Sequence, residues 1–163
     1  MANFSFLQGK RGEYLVVLQF FLLFAFIITP VWHPIPMQTW LELLEIPRKL
    51  IWLVSGLISI VFVGAGMLNL RENLTPLPYP VNHNQLVRHG IYNWVRHPLY
   101  ASQLIMALGW VLYSLSLSHL LWFIIGFLFF DYKASKEEVW LTERHPEYAS
   151  YSKNVRKFIP WVY

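Results

Sequence analysis

The sequence predicts an all-α protein: a multi-pass transmembrane helical bundle of about four spans, with a C-terminal helical hairpin and a cytosolic amphipathic tail. Three observations lead there. The 163 residues are 56% hydrophobic and only 13% charged, against a usual charged share of about 25%. That is too little charge to solvate a water-soluble surface. Three long stretches, residues 14–32, 50–70 and 99–130, carry no formal charge. About twenty apolar residues cross the hydrocarbon core as a helix. Finally, eleven of the thirteen Lys and Arg residues fall on one side if four spans are drawn with both ends inside. Basic residues mark the cytoplasmic side, so both termini are expected there.

Residues 14–32 form the first expected span. Lys10 and Arg11 ahead of it also suit a signal peptide, but the apolar run is long and no small-x-small cleavage site follows. Pro34 and Pro36 break the helix. Residues 41–49 read as a short interfacial segment. In the second span, residues 50–70, Gly56, Gly64 and Gly66 are expected to mark close helix contacts. Residues 71–96 form the longest loop, where Pro76, Pro78 and Pro80 resist regular structure.

The stretch 99–130 would measure about 48 Å as one helix, well beyond the roughly 30 Å hydrocarbon core. A tight hairpin turning near Ser114–Ser118 is expected instead, with His119 at its far end. From Asp131 the chain is amphipathic. Lys133 and Glu137 share a helix face, where a solvated i,i+4 ion pair is the plain structural reading. Pro146 ends that helix, and Tyr148, Tyr151, Val155 and Phe158 recur at helical spacing. Trp40, Trp52, Trp122 and Trp161 are candidate interface anchors.

The net charge of +4 suits an anionic membrane face or an acidic substrate. The basic residues form no groove-like stripe, so no nucleic acid partner is expected. With no cysteine, disulfides, Cys-zinc sites and a thiol nucleophile are excluded. His83, His89 and His97 match no metal-ligand spacing, and no metal is expected. Chemistry concentrates in two places. Residues 90–100 join a Gly turn to Tyr92, Arg96, His97, Pro98 and Tyr100 at the start of an apolar helix. Lys133, Glu137 and Glu138 follow the hairpin. Polar groups set against a bilayer are costly, which makes them functional candidates. Pro98 and Arg96 also suit a helix cap and membrane anchor.

At these residues the chain resembles the isoprenylcysteine carboxyl methyltransferase family, which is itself similar to the phospholipid N-methyltransferases. The shared pattern is Gly90-x-Tyr92-x-x-x-Arg96-His97-Pro98-x-Tyr100, then a hairpin, Glu137-Glu138, Tyr148-x-x-Tyr151, Val155 and Ile159-Pro160. The resemblance covers about residues 74–161. It divides a single integral membrane domain into N-terminal spans (1–73) and a methyltransferase-like core (74–163). It implies S-adenosylmethionine as cofactor, held at the cytosolic face by Asn84, Gln85, Leu86, Val87, Tyr92, His97, Pro98, Leu99, Tyr100 and Glu137. It implies acceptor contacts from Lys133 and Arg96, a lipidic or prenylated acceptor with a carboxylate or amine nucleophile, and no acid–base residue beyond positioning. A single-domain chain of this kind suits a bacterial inner membrane. Two positions depart from the family pattern: Ser102 stands where Gly is common, and Lys133 where an Arg binds the substrate carboxylate. Lys133 keeps the charge without the bidentate fork.

Two other readings fit parts of the sequence. The sterol reductases, which use NADPH, resemble the same C-terminal region through Arg96-His97-x-x-Tyr100 and the closing Ile159-Pro160-x-x-Tyr163. Here Ser102-Gln103 stands where that group has Gly-Asp. A non-enzymatic membrane scaffold would leave Tyr92, His97 and Glu137 separately satisfied, with no shared cavity.

Overall fold

A computed structural model describes residues 12–71, 74, 75, 77 and 85–163. The described residues form a multi-pass helical bundle: α1 (Glu13–Ile28), α2 (Gln38–Leu43), α3 (Glu45–Leu70), α4 (Pro98–Ser114), α5 (Leu117–Arg144) and α6 (Tyr148–Asn154), with a 3-10 turn at Gly90–Asn93. By length and composition α3 and α5 suffice to cross a bilayer, whereas α1 is apolar but shorter. At 1.5 Å per residue α1 and α4 reach about 24–26 Å, slightly short of a typical hydrocarbon core.

Each helix begins and ends for a local reason. In α1, fifteen of sixteen residues are uncharged, and Gly12 supplies its left-handed N-cap. It stops at Ile28, four residues before the expected limit, where Thr29 turns extended. The expected interfacial segment 41–49 is not a unit. It splits at Leu44, and Glu45, Pro47, Arg48 and Lys49 open the long α3. Pro47 is tolerated because the first helical turn needs no N–H from it. Arg48 is tolerated because its guanidinium donates to the carbonyls of Tyr113 and, at 2.8 Å, Leu41.

The hairpin turns where its length demands. Pro98 opens α4 as a first-turn proline. Leu115 adopts a left-handed conformation, and the Ser116 hydroxyl accepts from the His119 N–H as the N-cap of α5. This turn is tied to the end of α1: Leu117 N–H donates to Trp32 C=O (3.0 Å) and Ser118 Oγ to Pro30 C=O (2.8 Å).

Packing is most extensive between α3 and α4. Gly66 lies against Pro98 and Leu99, where a Cβ would be tight. Gly56 meets only the end of Met106, and Gly64 has open space beside it, so one of the three expected glycine contacts is close. Gly109, unmarked in the sequence reading, is the tighter position, since its backbone sits against the Ser55 side chain. The core joins Leu15, Phe62, Val95, Ala101, Leu104, Phe129, Phe130, Ala134 and Phe158. Most other apolar side chains of α1 and α3 face outward, as a lipid-facing surface requires.

The tail departs from the expected helical spacing. Helix α6 ends at Asn154, and Val155 continues extended. Arg156 and Lys157 offer their carbonyls to the N–H groups of Arg96 (2.8 Å) and His97 (3.1 Å). That short parallel bridge, Val95 with Arg156, outcompetes another helical turn.

Candidate functional site

The polar end of the bundle is built around the start of α4. Gly90 has a φ of 61° and lies against the Asn69 side chain, whose Oδ1 accepts the Ile91 N–H at 3.1 Å. A β-carbon would collide with that carboxamide, and only glycine takes this conformation without strain. The turn sets Tyr92 inward, and the Tyr151 hydroxyl donates to the Tyr92 carbonyl at 2.6 Å. Burial, with the charge of Glu137 behind it, pushes the Tyr92 phenol well above its usual value. It is therefore a protonated hydroxyl at neutral pH.

His97 sits at the centre. It is 6% exposed, its Nε2 lies 2.9 Å from Glu138 Oε1, and its Nδ1 lies 3.6 Å from Glu137 Oε2. Its ring stacks on Tyr100, with centroids 5.5 Å apart. The Tyr100 hydroxyl donates to Glu137 Oε2 at 3.0 Å. Arg96 donates through Nε to Glu138 Oε1 (2.8 Å) and through Nη1 to the carbonyls of Ser152 (3.0 Å) and Val155. Burial alone would lower the guanidinium pKa. The hydrogen bond and charge of Glu138 outweigh it and leave the value raised. So Glu138 fastens α5 to the α4 start and, through Arg96, to the tail, while Glu137 one residue earlier faces inward.

These groups surround a cavity of about 360 Å³. Of the residues singled out from sequence, Gln85, Leu86, Val87, Tyr92, Arg96, His97, Pro98, Leu99, Tyr100, Lys133 and Glu137 all line it. Asn84 and His83 lie outside the described residues. The scaffold expectation fails here, because Tyr92, His97 and Glu137 converge on one space. Among the described residues no group of three metal-ligand side chains comes together.

Lys133 corrects the plain reading of its helix face. It is 1% exposed and makes no ion pair with Glu137. Its Nζ donates to Gln19 Oε1 at 2.5 Å and lies 5.1 Å from the centre of the Tyr100 ring. The helix turns this face into the bundle, where α1 provides an uncharged partner.

Sequence reasoning missed several lining residues: Val16, Gln19 and Phe20 from α1, Gln103 from α4, Leu141, and the pair Tyr148 and Tyr151 beyond their place in a motif. Gln19 had a signal, being the sole amide in the apolar run of α1. The Tyr148 hydroxyl, on a residue 3% exposed, is buried beside the Arg96 guanidinium and makes no well-formed hydrogen bond among the described residues. A buried donor of that kind costs about 1–3 kcal/mol unless something fills its place.

No curated protein matches the chain. The phospholipid methyltransferase family model matches residues 51–148, a span that takes in α4, the hairpin, Lys133 and the two glutamates. On that match over more than half its length, the chain belongs to the phospholipid methyltransferase family, which implies methyl transfer to a lipid-type substrate at a membrane.

Proposed function

We propose that this protein transfers a methyl group from S-adenosylmethionine to a lipidic acceptor at the cytosolic face of its membrane. The observation that carries the reading is the convergence of Glu137, Tyr92, His97, Tyr100 and Tyr148 on one cavity beneath the tail. When bound, the cofactor supplies an electrophilic methyl on a sulfonium. Such a displacement depends on alignment, and positioning alone is worth several kcal/mol of barrier.

The residues present suit that cofactor. Glu137 retains acceptor capacity for an ammonium or for ribose hydroxyls, since its Oε1 has no partner among the described hydrogen bonds. Tyr148 offers a hydroxyl donor. Leu86 and Val87 bring non-helical backbone to the wall, with N–H groups that make no backbone hydrogen bond among the described residues. The Tyr92 ring, which lines the cavity, is assigned to the cation, an attraction of roughly 0.5–2 kcal/mol; the Tyr100 ring is already flanked by His97, Phe130 and the Lys133 ammonium. Lys133 and Arg96 are assigned to the acceptor side, Lys133 by its buried ammonium. Arg96 contributes through the groups it holds, because its Nε and Nη1 are already engaged with Glu138 and the tail.

Residues 74–163 supply most of the cavity, and α1 together with Leu70 of α3 supplies the rest, so the spans and the core act as one domain. We place both termini in the cytoplasm, on the distribution of Lys and Arg, and the protein in a bacterial inner membrane.

Calorimetric titration of the detergent-solubilised protein with S-adenosylhomocysteine, with NADPH in parallel, tests the reading. Saturable binding of the former and none of the latter is expected. Glu137→Ala should weaken that binding about thirtyfold, the loss of one charge-assisted contact of about 2 kcal/mol. Binding of NADPH alone would overturn the proposal.

A further inference from the structure

After α6 the chain folds back on itself as a hook. The N–H groups of Phe158 and Ile159 both donate to the Tyr163 carbonyl, at 2.8 and 2.7 Å. Trp161 sits in the bend with a φ of 62°, a left-handed conformation that a bulky residue adopts only at a cost. The bend turns its indole outward: Trp161 is 82% exposed and Val162 72%. Ile159, whose carbonyl accepts the Val162 N–H at 3.1 Å, is exposed beside them. Trp94, far earlier in the chain, completes the patch, with its ring 5.9 Å from that of Trp161 and also exposed. Two separate stretches of sequence thus build one apolar patch that the described residues leave uncovered.

The depth of this hook is fixed by α5. The uncharged stretch of that helix ends at Phe130, and Asp131 carries its first charge. The Tyr163 hydroxyl donates to Asp131 Oδ1 at 2.9 Å. The Tyr163 and Phe158 rings pack on Phe127, one turn inside the apolar stretch, with centroids 5.7 and 6.1 Å away. The hook therefore straddles the level where the bundle passes from acyl chains to headgroups, the level at which Trp and Tyr concentrate. Its charges suit that level. Lys157 is neutralised by Asp131, whereas Lys153 and Arg156 are exposed and make no ion pair among the described residues. An apolar patch rimmed by unpaired cations complements an anionic headgroup layer, where each cation strengthens binding roughly fivefold.

We propose that the Trp94–Trp161 patch, with Lys153 and Arg156, docks on the anionic lipid headgroups of the leaflet at this end of the bundle, and that this docking holds the site closed. The coupling between the two is short. The Arg156 and Lys157 carbonyls accept from the Arg96 and His97 N–H groups, and the side chains of Arg96 and His97 line the cavity. A hook held on the membrane keeps that bridge formed. A hook released into water frees both N–H groups and loosens the start of α4. Membrane charge then regulates the site, and a bilayer depleted of anionic lipid leaves it open.

The chain has no cysteine, so Val162→Cys provides a single attachment point for an environment-sensitive fluorophore. In nanodiscs containing phosphatidylglycerol the emission should shift to the blue relative to phosphatidylcholine alone. Amide hydrogen exchange at Arg96 and His97 should slow about tenfold. S-adenosylhomocysteine should bind about tenfold tighter in the anionic discs; this effect rests on the methyltransferase reading, and the exchange does not. The double variant Lys153→Gln/Arg156→Gln keeps the backbone bridge. In phosphatidylcholine it should bind S-adenosylhomocysteine as the wild type does, which shows that it is folded, and its label, exchange and affinity should no longer respond to anionic lipid. Emission and exchange that are identical in the two membranes, or a response retained in full by the double variant, would overturn the inference. Slowed exchange with an unchanged S-adenosylhomocysteine affinity would overturn the coupling to the site. Slowed exchange with no S-adenosylhomocysteine binding in either membrane would uphold the docking surface and overturn the cofactor reading instead.

Discussion

The two ends of the bundle are both rich in hydrogen bonds, but they use them differently. At the hairpin end, Arg48, His33, Ser116 and Ser118 reach main-chain groups or a neighbouring cap: Tyr113, Leu41, Ser114 and Pro30 carbonyls, and the Trp32 and His119 N–H groups. These bonds close helix termini, whose last carbonyls and first N–H groups have no partner within the helix. At the tail end, ionised side chains meet other side chains as well as carbonyls. Arg96 and His97 meet Glu138, Tyr100 meets Glu137, and Lys157 meets Asp131 at 2.6 Å. One end finishes a scaffold; the other concentrates charge around a cavity. Changes at the first should lower stability alone, and changes at the second should alter binding as well.

Glu138→Gln is the sharpest way to test that contrast. It removes one carboxylate from two partly buried cations or donors at once. We expect a loss of about 3 kcal/mol, in the range for breaking a buried ion pair from one side. It is read as a lowered unfolding midpoint in detergent, with the tail becoming protease-sensitive first. Gly90→Ala comes next. The left-handed backbone costs about 1–2 kcal/mol with a β-carbon, and the clash with Asn69 adds to it. S-adenosylhomocysteine titration should show weaker binding, because Tyr92 follows directly on this turn.

Tyr151→Phe removes one buried hydroxyl donor and leaves the Tyr92 carbonyl without it. The expected cost is about 1–2 kcal/mol, with a several-fold rise in the S-adenosylhomocysteine Kd. Ser116→Ala, at the hairpin end, should cost about 1 kcal/mol as a lost N-cap and leave ligand affinity unchanged. An equal fall in affinity from Ser116→Ala and Tyr151→Phe would erase the distinction between the ends.

Much of this was legible in the sequence, for physical reasons that can be named. Thirty-two uncharged residues are too long for one span, so the hairpin and its turn near Ser114–Ser118 followed from length. Pro98 announced the start of α4, because a first-turn proline forgoes nothing. The cluster 90–100 and the two glutamates were visible because polar groups beside lipid are costly. Other features depend on partners far along the chain. Arg48 looked like a boundary charge, yet it belongs inside α3 because the end of α4 comes to meet it. Lys133 looked solvated, since its neighbour in α1 lies 114 positions away. Val155 and Phe158 fit a helical period, but the N–H groups of Arg96 and His97, which have no helical partner ahead of α4, pair with the Arg156 and Lys157 carbonyls and hold that segment straight.

That last pairing has a consequence in time. Residues 156 and 157 emerge from the ribosome after every described helix of the bundle that precedes them, yet their carbonyls secure the residues on which α4 begins. A nascent chain with the described spans α1, α3, α4 and α5 inserted still holds only an open half-shell around the cavity. Closure of the site therefore waits on residues 156 and 157, and a chain stopped before them is a membrane-lodged fragment with the start of α4 left unsecured.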